Sequence, residues 1–235
     1  MADGLHGDGL RSTQQVVRKN IKNVRGKPMI CWSIETSLEC GCFDHVIVST
    51  DNEAFAEVAR SARAGVPFMR PAELSDDHAS SLAIFRHAVD TWESISGKTI
   101  TMACGIYATA PFLNPEDLHQ GRALMGADTE LDFAFSVTSF PFPIQRALKL
   151  AENGLVEMVE PEHEQTRSQD LPERYHDAGQ FYWFRTDSIR RNDGVFSARS
   201  APVILPRERV QDIDTPEDWA NAEVAHEIIE QRSAS

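Results

Sequence analysis

Between His45 and Val137 the chain alternates short β-branched runs with amphipathic helical stretches, and this pattern restricts the fold more than any other feature. His45 to Thr50 (HVIVST) is an apolar, β-branched run that stops at the polar turn Asp51-Asn52. Phe55, Val58, Ala59 and Ala62 then recur at the spacing of one helix face. Val66 to Met69 predicts a second strand, closed by Arg70-Pro71. Leu82, Phe85, Ala88, Val89 and Trp92 form the apolar stripe of a further helix. Thr99 to Tyr107 predicts a third strand, which ends at Ala110-Pro111, and Asp132 to Val137 a fourth. Between them Pro115 to Met125 is helical, with Asn114 as cap and Pro115 in the first turn. This order predicts an α/β domain with a mostly parallel sheet and helices on both faces. Ligands of such sheets bind beyond the carboxyl ends of the strands.

From about residue 140 to 185 the pattern changes. Ala147 to Leu150 and Leu155 to Val159 predict a hairpin around Glu152-Asn153-Gly154. Gly179 to Arg185 is an aromatic-rich strand, and Pro216 to Gln231 a closing helix. The 140–185 segment is read as a small subdomain that covers the site or pairs with a second copy. A length of 235 residues fits one such domain, 1–235. The formal net charge of −13 disfavours nucleic acid, which needs clustered Lys and Arg, but leaves room for a small anionic substrate. No apolar run approaches the roughly 20 residues of a membrane span, and residues 1–16 carry no apolar signal core. Cys31, Cys40, Cys42 and Cys104 lack the usual paired zinc spacing. They are read as reduced, mostly buried thiols of a cytoplasmic protein.

Four segments offer chemistry. In Gln211-Asp212-Ile213-Asp214-Thr215-Pro216 an extended backbone would turn Asp212 and Asp214 to one side and Ile213 to the core. Two carboxylates on one face suit a hard cation such as Mg²⁺. Helix capping by Thr215, Pro216 and Asp218 is the competing reading, and it leaves Asp212 unexplained. Arg18-Lys19-Asn20-Ile21-Lys22 suits phosphate and base recognition, or is a solvated basic turn. Arg70 to Ser75, with Ser80-Ser81 at a helix start, offers an anion site or an ordinary serine cap. His176-Asp177 invites a general-base reading, but neighbours on a strand point opposite ways and no Gly-x-Ser-x-Gly elbow exists for a hydrolase.

Taken together, Gly26-Lys27-Pro28-Met29-Ile30, Val48-Ser49-Thr50-Asp51, Arg70-Pro71, Leu74-Ser75-Asp76-Asp77, Tyr107-Ala108-Thr109-Ala110-Pro111, Arg167-Ser168-Gln169-Asp170-Leu171, Tyr175-His176-Asp177-Ala178-Gly179-Gln180 and Asp212-Ile213-Asp214-Thr215 closely resemble the acylneuraminate cytidylyltransferase family. The resemblance runs in order over about residues 18 to 225. Tyr107 looks like the pseudaminic acid branch, where the sialic acid enzymes usually have Gln-Pro-Thr-Ser-Pro. The resemblance implies a Rossmann-like nucleotidyltransferase fold, a homodimer through 140–185, and CTP with Mg²⁺ (Mn²⁺ as substitute). It further implies attack by the anomeric hydroxyl of an acidic nine-carbon sugar on the α-phosphate. By motif match Asp212 and Asp214 are the metal carboxylates and, with Lys19, the catalytic set. Asn20, Arg70 and Ser81 are expected on the nucleotide, and Tyr107, Arg167 and Gln169 on the sugar.

The N-terminus departs from that pattern. The family opens with an apolar strand running into Pro-Ala-Arg-x-Gly-Ser-Lys, whereas residues 1–17 read MADGLHGDGLRSTQQVV. Ungapped from Lys19-Asn20, the loop glycines fall on Arg11 and Ser12 and its lysine on Gln14. Backbone amides that reach phosphate and a point charge are thereby lost. The sequence predicts a central sheet position without its strand and weak or no activity. The alternatives are therefore an N-acetylneuraminate enzyme and an inactive relative.

Overall fold

The computed structural model describes residue 16 and residues 18–75, 79–191 and 194–233. The atypical segment 1–15, with Arg11, Ser12 and Gln14, lies outside them. Two short strands, β1 (Asn23–Val24) and β2 (Lys27–Pro28), lead into helix α1 (Met29–Glu39). Helices α2 (Glu53–Ser61) and α3 (Ser81–Ser96) precede strand β3 (Met102–Ile106). Helix α4 (Pro115–Ala127) and strand β4 (Phe133–Ser139) follow. A separate hairpin, β5 (Leu148–Leu150) and β6 (Val156–Met158), comes before the long strand β7 (Tyr175–Arg185). Helix α5 (Thr186–Arg191), strand β8 (Ser200–Ile204) and helix α6 (Pro216–Ser233) complete the chain.

The main sheet has the order β3-β7-β4-β8. β7 is antiparallel to both neighbours, while β4 and β8 are parallel. Three strands therefore run one way and β7 runs against them, so the sheet is mixed. The α/β class predicted from the alternation is present. Side-chain alternation along β7 divides the core in two. Phe181 and Trp183 pack with Leu118 and Met125 of α4, and Tyr182 and Phe184 with Val89 of α3 and Ile189 of α5. Gly121 lets α4 close on the sheet, since a Cβ there would lie 2.5 Å from the Trp183 ring.

Local signals work as their chemistry requires. The Asn52 and Asn114 side chains accept the N–H groups of Ala54 and Glu116, capping α2 and α4. Gly97, at φ +66°, ends α3 with its N–H on the Glu93 carbonyl. Two expected strands do not form. Residues 45–50 make only an isolated parallel bridge, Ile47 with Gly65, and residues 66–69 form no strand, with a bend at Phe68. A strand needs a partner edge to be held in register. Among the described residues no strand lies between 45–50 and the free edge of β3. A cavity of about 520 Å³ stands there, lined by Val46, Ile47 and Val48 on one side and Met102, Ala103 and Cys104 on the other. The sequence expectation of a sheet position without its strand falls on residues 1–17, of which all but residue 16 lie outside the described residues.

Candidate active site

The polar end of that cavity gathers four of the residues singled out in the sequence: Asn20, Arg70, Ser81 and Tyr107. Arg70 follows the irregular 66–69 segment, and its N–H bonds the Thr50 carbonyl at 2.8 Å. Its guanidinium is 1% exposed and lies 3.6 Å from Asp51, and its Nε donates to Ser75 Oγ at 3.1 Å. Neither terminal nitrogen makes a hydrogen bond. Burial lowers its pKa, with Asp51 opposing. A buried guanidinium whose terminal nitrogens make no hydrogen bond, one of them in a long ion pair with Asp51, is a ready partner for an anion. Asn20 Oδ1 and Ser49 Oγ on the same wall are also buried without partners. Ser81, the first residue of α3, meets the Tyr107 hydroxyl at 2.6 Å. Tyr107 follows β3, and its N–H bonds the Gln180 carbonyl at 2.9 Å. Ser49 is the residue that sequence reasoning missed as a site residue, although it lies inside the Val48-Ser49-Thr50-Asp51 motif.

Lys19 carries the wall toward the second cluster. Its Nζ lies 2.5 Å from Asp214 Oδ1 and 3.3 Å from the Ile213 carbonyl. Ile213 is buried at 1% exposure, while Asp212 is exposed and Asp214 half-buried, which is the alternation expected for this segment. The capping reading holds as well. Thr215 N–H donates to Asp218 Oδ2 at 2.8 Å, and Asp218 N–H to Thr215 Oγ1 at 3.2 Å. That reciprocal pair uses Thr215 and Asp218 and leaves the Asp212 carboxylate outside the cap. Although the Asp212 side chain reaches solvent, desolvation by the protein packed around it raises its pKa, with Asp214 adding and Lys19 opposing. Two hard oxygen donors on one side of the segment fit Mg²⁺, whose other ligands can be water and phosphate oxygens. The loop before them is anchored by Arg209, which forms a two-point ion pair with Asp117 of α4.

Arg167 and Gln169 are exposed on a single turn at Ser168–Asp170, and neither lines the cavity. The structure does not bring them to the other residues. His176 points its Nδ1 at the Asp177 carbonyl, 2.8 Å away, and packs on Phe140. It has no nucleophile beside it in these contacts. All four cysteines are free, and burial raises the thiols of Cys31, Cys40 (to about 11) and Cys104. Among the described residues no helix is long and apolar enough to cross a membrane.

A family model described as cytidylyltransferase matches residues 13–223. A pseudaminic acid cytidylyltransferase of Campylobacter jejuni subsp. jejuni serotype O:2 is 40% identical over 216 residues, 92% of this chain and 92% of that protein. A CMP-N,N'-diacetyllegionaminic acid synthase from the same organism is 25% identical over 204 residues, 87% of this chain and 86% of that protein. Among solved structures, a CMP:2-keto-3-deoxy-manno-octonic acid synthetase complexed with CTP superposes with a TM-score of 0.61 at 16% identity, over 91% of this chain and 94% of that one. The last likeness concerns fold alone.

Proposed function

Because the chain belongs to the cytidylyltransferase family, we propose that it transfers CMP from CTP to the anomeric hydroxyl of an acidic nine-carbon sugar, pseudaminic acid. One observation carries this reading: the identity to the pseudaminic acid enzyme is 40% over 92% of both chains, against 25% for the legionaminic one. The sugar hydroxyl oxygen bonds to the α-phosphorus, the bond to the bridging oxygen of the β-phosphate breaks, and pyrophosphate leaves. The hydroxyl proton goes to solvent.

The residues have distinct tasks in this reading. Asn20, Ser49, Arg70 and Ser81 hold the nucleotide, with Arg70 offering the terminal nitrogens that make no hydrogen bond to phosphate oxygens. Tyr107 stands on the sugar side, where its hydroxyl touches Ser81. Lys19 exchanges its bond to Asp214 for phosphate contact. Asp212 and Asp214 would hold Mg²⁺, which when bound offsets charge on the phosphates. Little covalent work falls to the protein beyond holding the reactants in line. Arg167 and Gln169 reach the sugar only if the 168–170 turn is brought over the cavity.

The same reading makes the molecule a homodimer through 140–185 and places it in the cytoplasm, in keeping with its four free thiols. A second reading, a relative that binds CTP without turnover, is favoured by the cavity beside β3. Pyrophosphate release with CTP and Mg²⁺ is the test, using pseudaminic and N-acetylneuraminic acids in turn. Turnover with the first in preference to the second is expected. Calorimetric CTP binding without turnover would establish the second reading, and neither binding nor turnover would refute both.

A further inference from the structure

Asp177 and Tyr182 lie five residues apart on β7, so a regular strand would send them to opposite faces. They nevertheless meet: the Tyr182 hydroxyl donates to Asp177 Oδ2 at 2.6 Å. The cause is a bulge. Phe135 of β4 faces Tyr182 while Val137 faces Asp177, so five steps of β7 stand against two of β4. Gly179 turns the backbone at φ +61°, and its N–H donates to Asp177 Oδ1 at 2.8 Å. Ser136 Oγ locks the insertion by accepting the N–H groups of both Gln180 and Phe181 at 3.2 Å. Both oxygens of one carboxylate are thus used to close the bulge on itself.

The bulge is built against Tyr107. Gln180 accepts the Tyr107 N–H at 2.9 Å, and the Tyr182 ring packs on the Tyr107 ring with centroids 5.5 Å apart. Phe135 and Phe85 contact the Tyr182 ring from other sides. Tyr107 in turn meets Ser81. A chain of contacts therefore runs from Asp177 through Tyr182 to Tyr107 and ends at the wall assigned to the nucleotide.

We propose that Asp177 and Tyr182 are positioning residues, which fix the Tyr107 hydroxyl at the junction between the sugar and nucleotide halves of the site. This rests on the cytidylyltransferase reading for its kinetic consequence, though not for its geometry. Tyr182 is buried and does not line the cavity, whereas Tyr107 does, so its effect on the site passes through Tyr107. Ser81 keeps its own place at the start of α3, so the effect falls on the sugar.

The test is a double-mutant cycle on Tyr182→Phe and Tyr107→Phe, read as separate KM values for sugar and CTP. Tyr182→Phe keeps the ring and the fold. Loss of its charge-assisted hydrogen bond should raise the sugar KM about tenfold, with the CTP KM unchanged. Added to Tyr107→Phe, it should cost nothing further. Independent, multiplying effects would overturn the proposal. The chain has three tyrosines, Tyr107, Tyr175 and Tyr182, so 3-fluorotyrosine labelling gives three assignable ¹⁹F signals. The Tyr107 signal should shift and broaden in Tyr182→Phe, and an unmoved signal would also overturn the proposal. Should no variant turn over, the functional reading falls while the ¹⁹F signal still decides the positioning role.

Discussion

Asp212 is held close to a second carboxylate and outside the helix cap, an arrangement that stability alone does not require. Replacing Asp212 or Asp214 with Asn should remove most turnover, on the order of 100- to 1,000-fold. The circular dichroism spectrum should remain that of the parent, since Thr215 and Asp218 still close the cap. Undiminished pyrophosphate release by both variants would end the metal assignment. As candidates, these residues, with Lys19, Asn20, Arg70, Ser81 and Tyr107, could be picked out of the sequence because each sits in a short contiguous segment. Asp177 and Tyr182 could not, because a bulge that reverses side-chain parity arises from pairing with β4 and leaves no spacing in the sequence. Their pairing also has a signature in alkaline solution. Burial, then the bond to Asp177, raises the Tyr182 pKa well above the ordinary 10.0. A raised folded value means stability that is whole below pH 10 and lost as pH rises toward the folded pKa, because the unfolded chain ionises first. Urea midpoints measured from pH 9 to 11 should therefore fall more steeply for the parent than for Tyr182→Phe.

The hairpin β5–β6 stands apart from the main sheet and hides almost nothing within the chain. Leu148, Leu150, Leu155 and Val156 are 62%, 77%, 65% and 64% exposed, and Phe142 nearby is 80% exposed. An apolar group of this kind on a two-stranded ribbon is costly in water and marks an interaction surface. Light scattering at micromolar concentration should give a dimer. The double substitution Leu148→Glu with Leu150→Glu should give a folded monomer, because neither side chain is needed inside the protomer. A monomeric parent would remove the proposed assembly. The elements were read unevenly from sequence, for a physical reason. Helices carry their own hydrogen bonds and caps, so α2, α3 and α4 fall where periodicity and Asn52, Ser80 and Asn114 put them. Strands borrow their bonds from a neighbour, so the β-branched run at 45–50, with one bridge to Gly65, stays outside the sheet.

For the molecule as a whole, that unpaired run and the free edge of β3 make one prediction about residues 1–17. CTP brings about four negative charges to a protein whose own formal charge is −13, so local cations and amides must offset them. On the described wall stand Lys19 and Arg70, but Lys19 is bonded to Asp214 and Arg70 lies 3.6 Å from Asp51. The family loop would add an arginine, a lysine and glycine-flanked amides, and its strand would take the apolar part of the cavity between 46–48 and β3, leaving the end lined by Asn20, Arg70, Ser81 and Tyr107 open. A chimera with an apolar strand plus the Gly-Ser-Lys loop in place of residues 1–17 should therefore gain in two separate ways. Its melting temperature should rise, because apolar surface around the cavity is covered and both strand edges find partners. Its pyrophosphate release should rise by about 100-fold or more, the scale at which preorganised donors act at a reacting centre. The two gains are separable: a strand without the Gly-Ser-Lys loop should raise the melting temperature and leave turnover low. Equal and robust turnover by the parent and the chimera would show that the loop is dispensable and that Lys19, Asn20 and Arg70 hold the triphosphate alone. A chimera that is no more stable than the parent would show that the cavity is not a strand position.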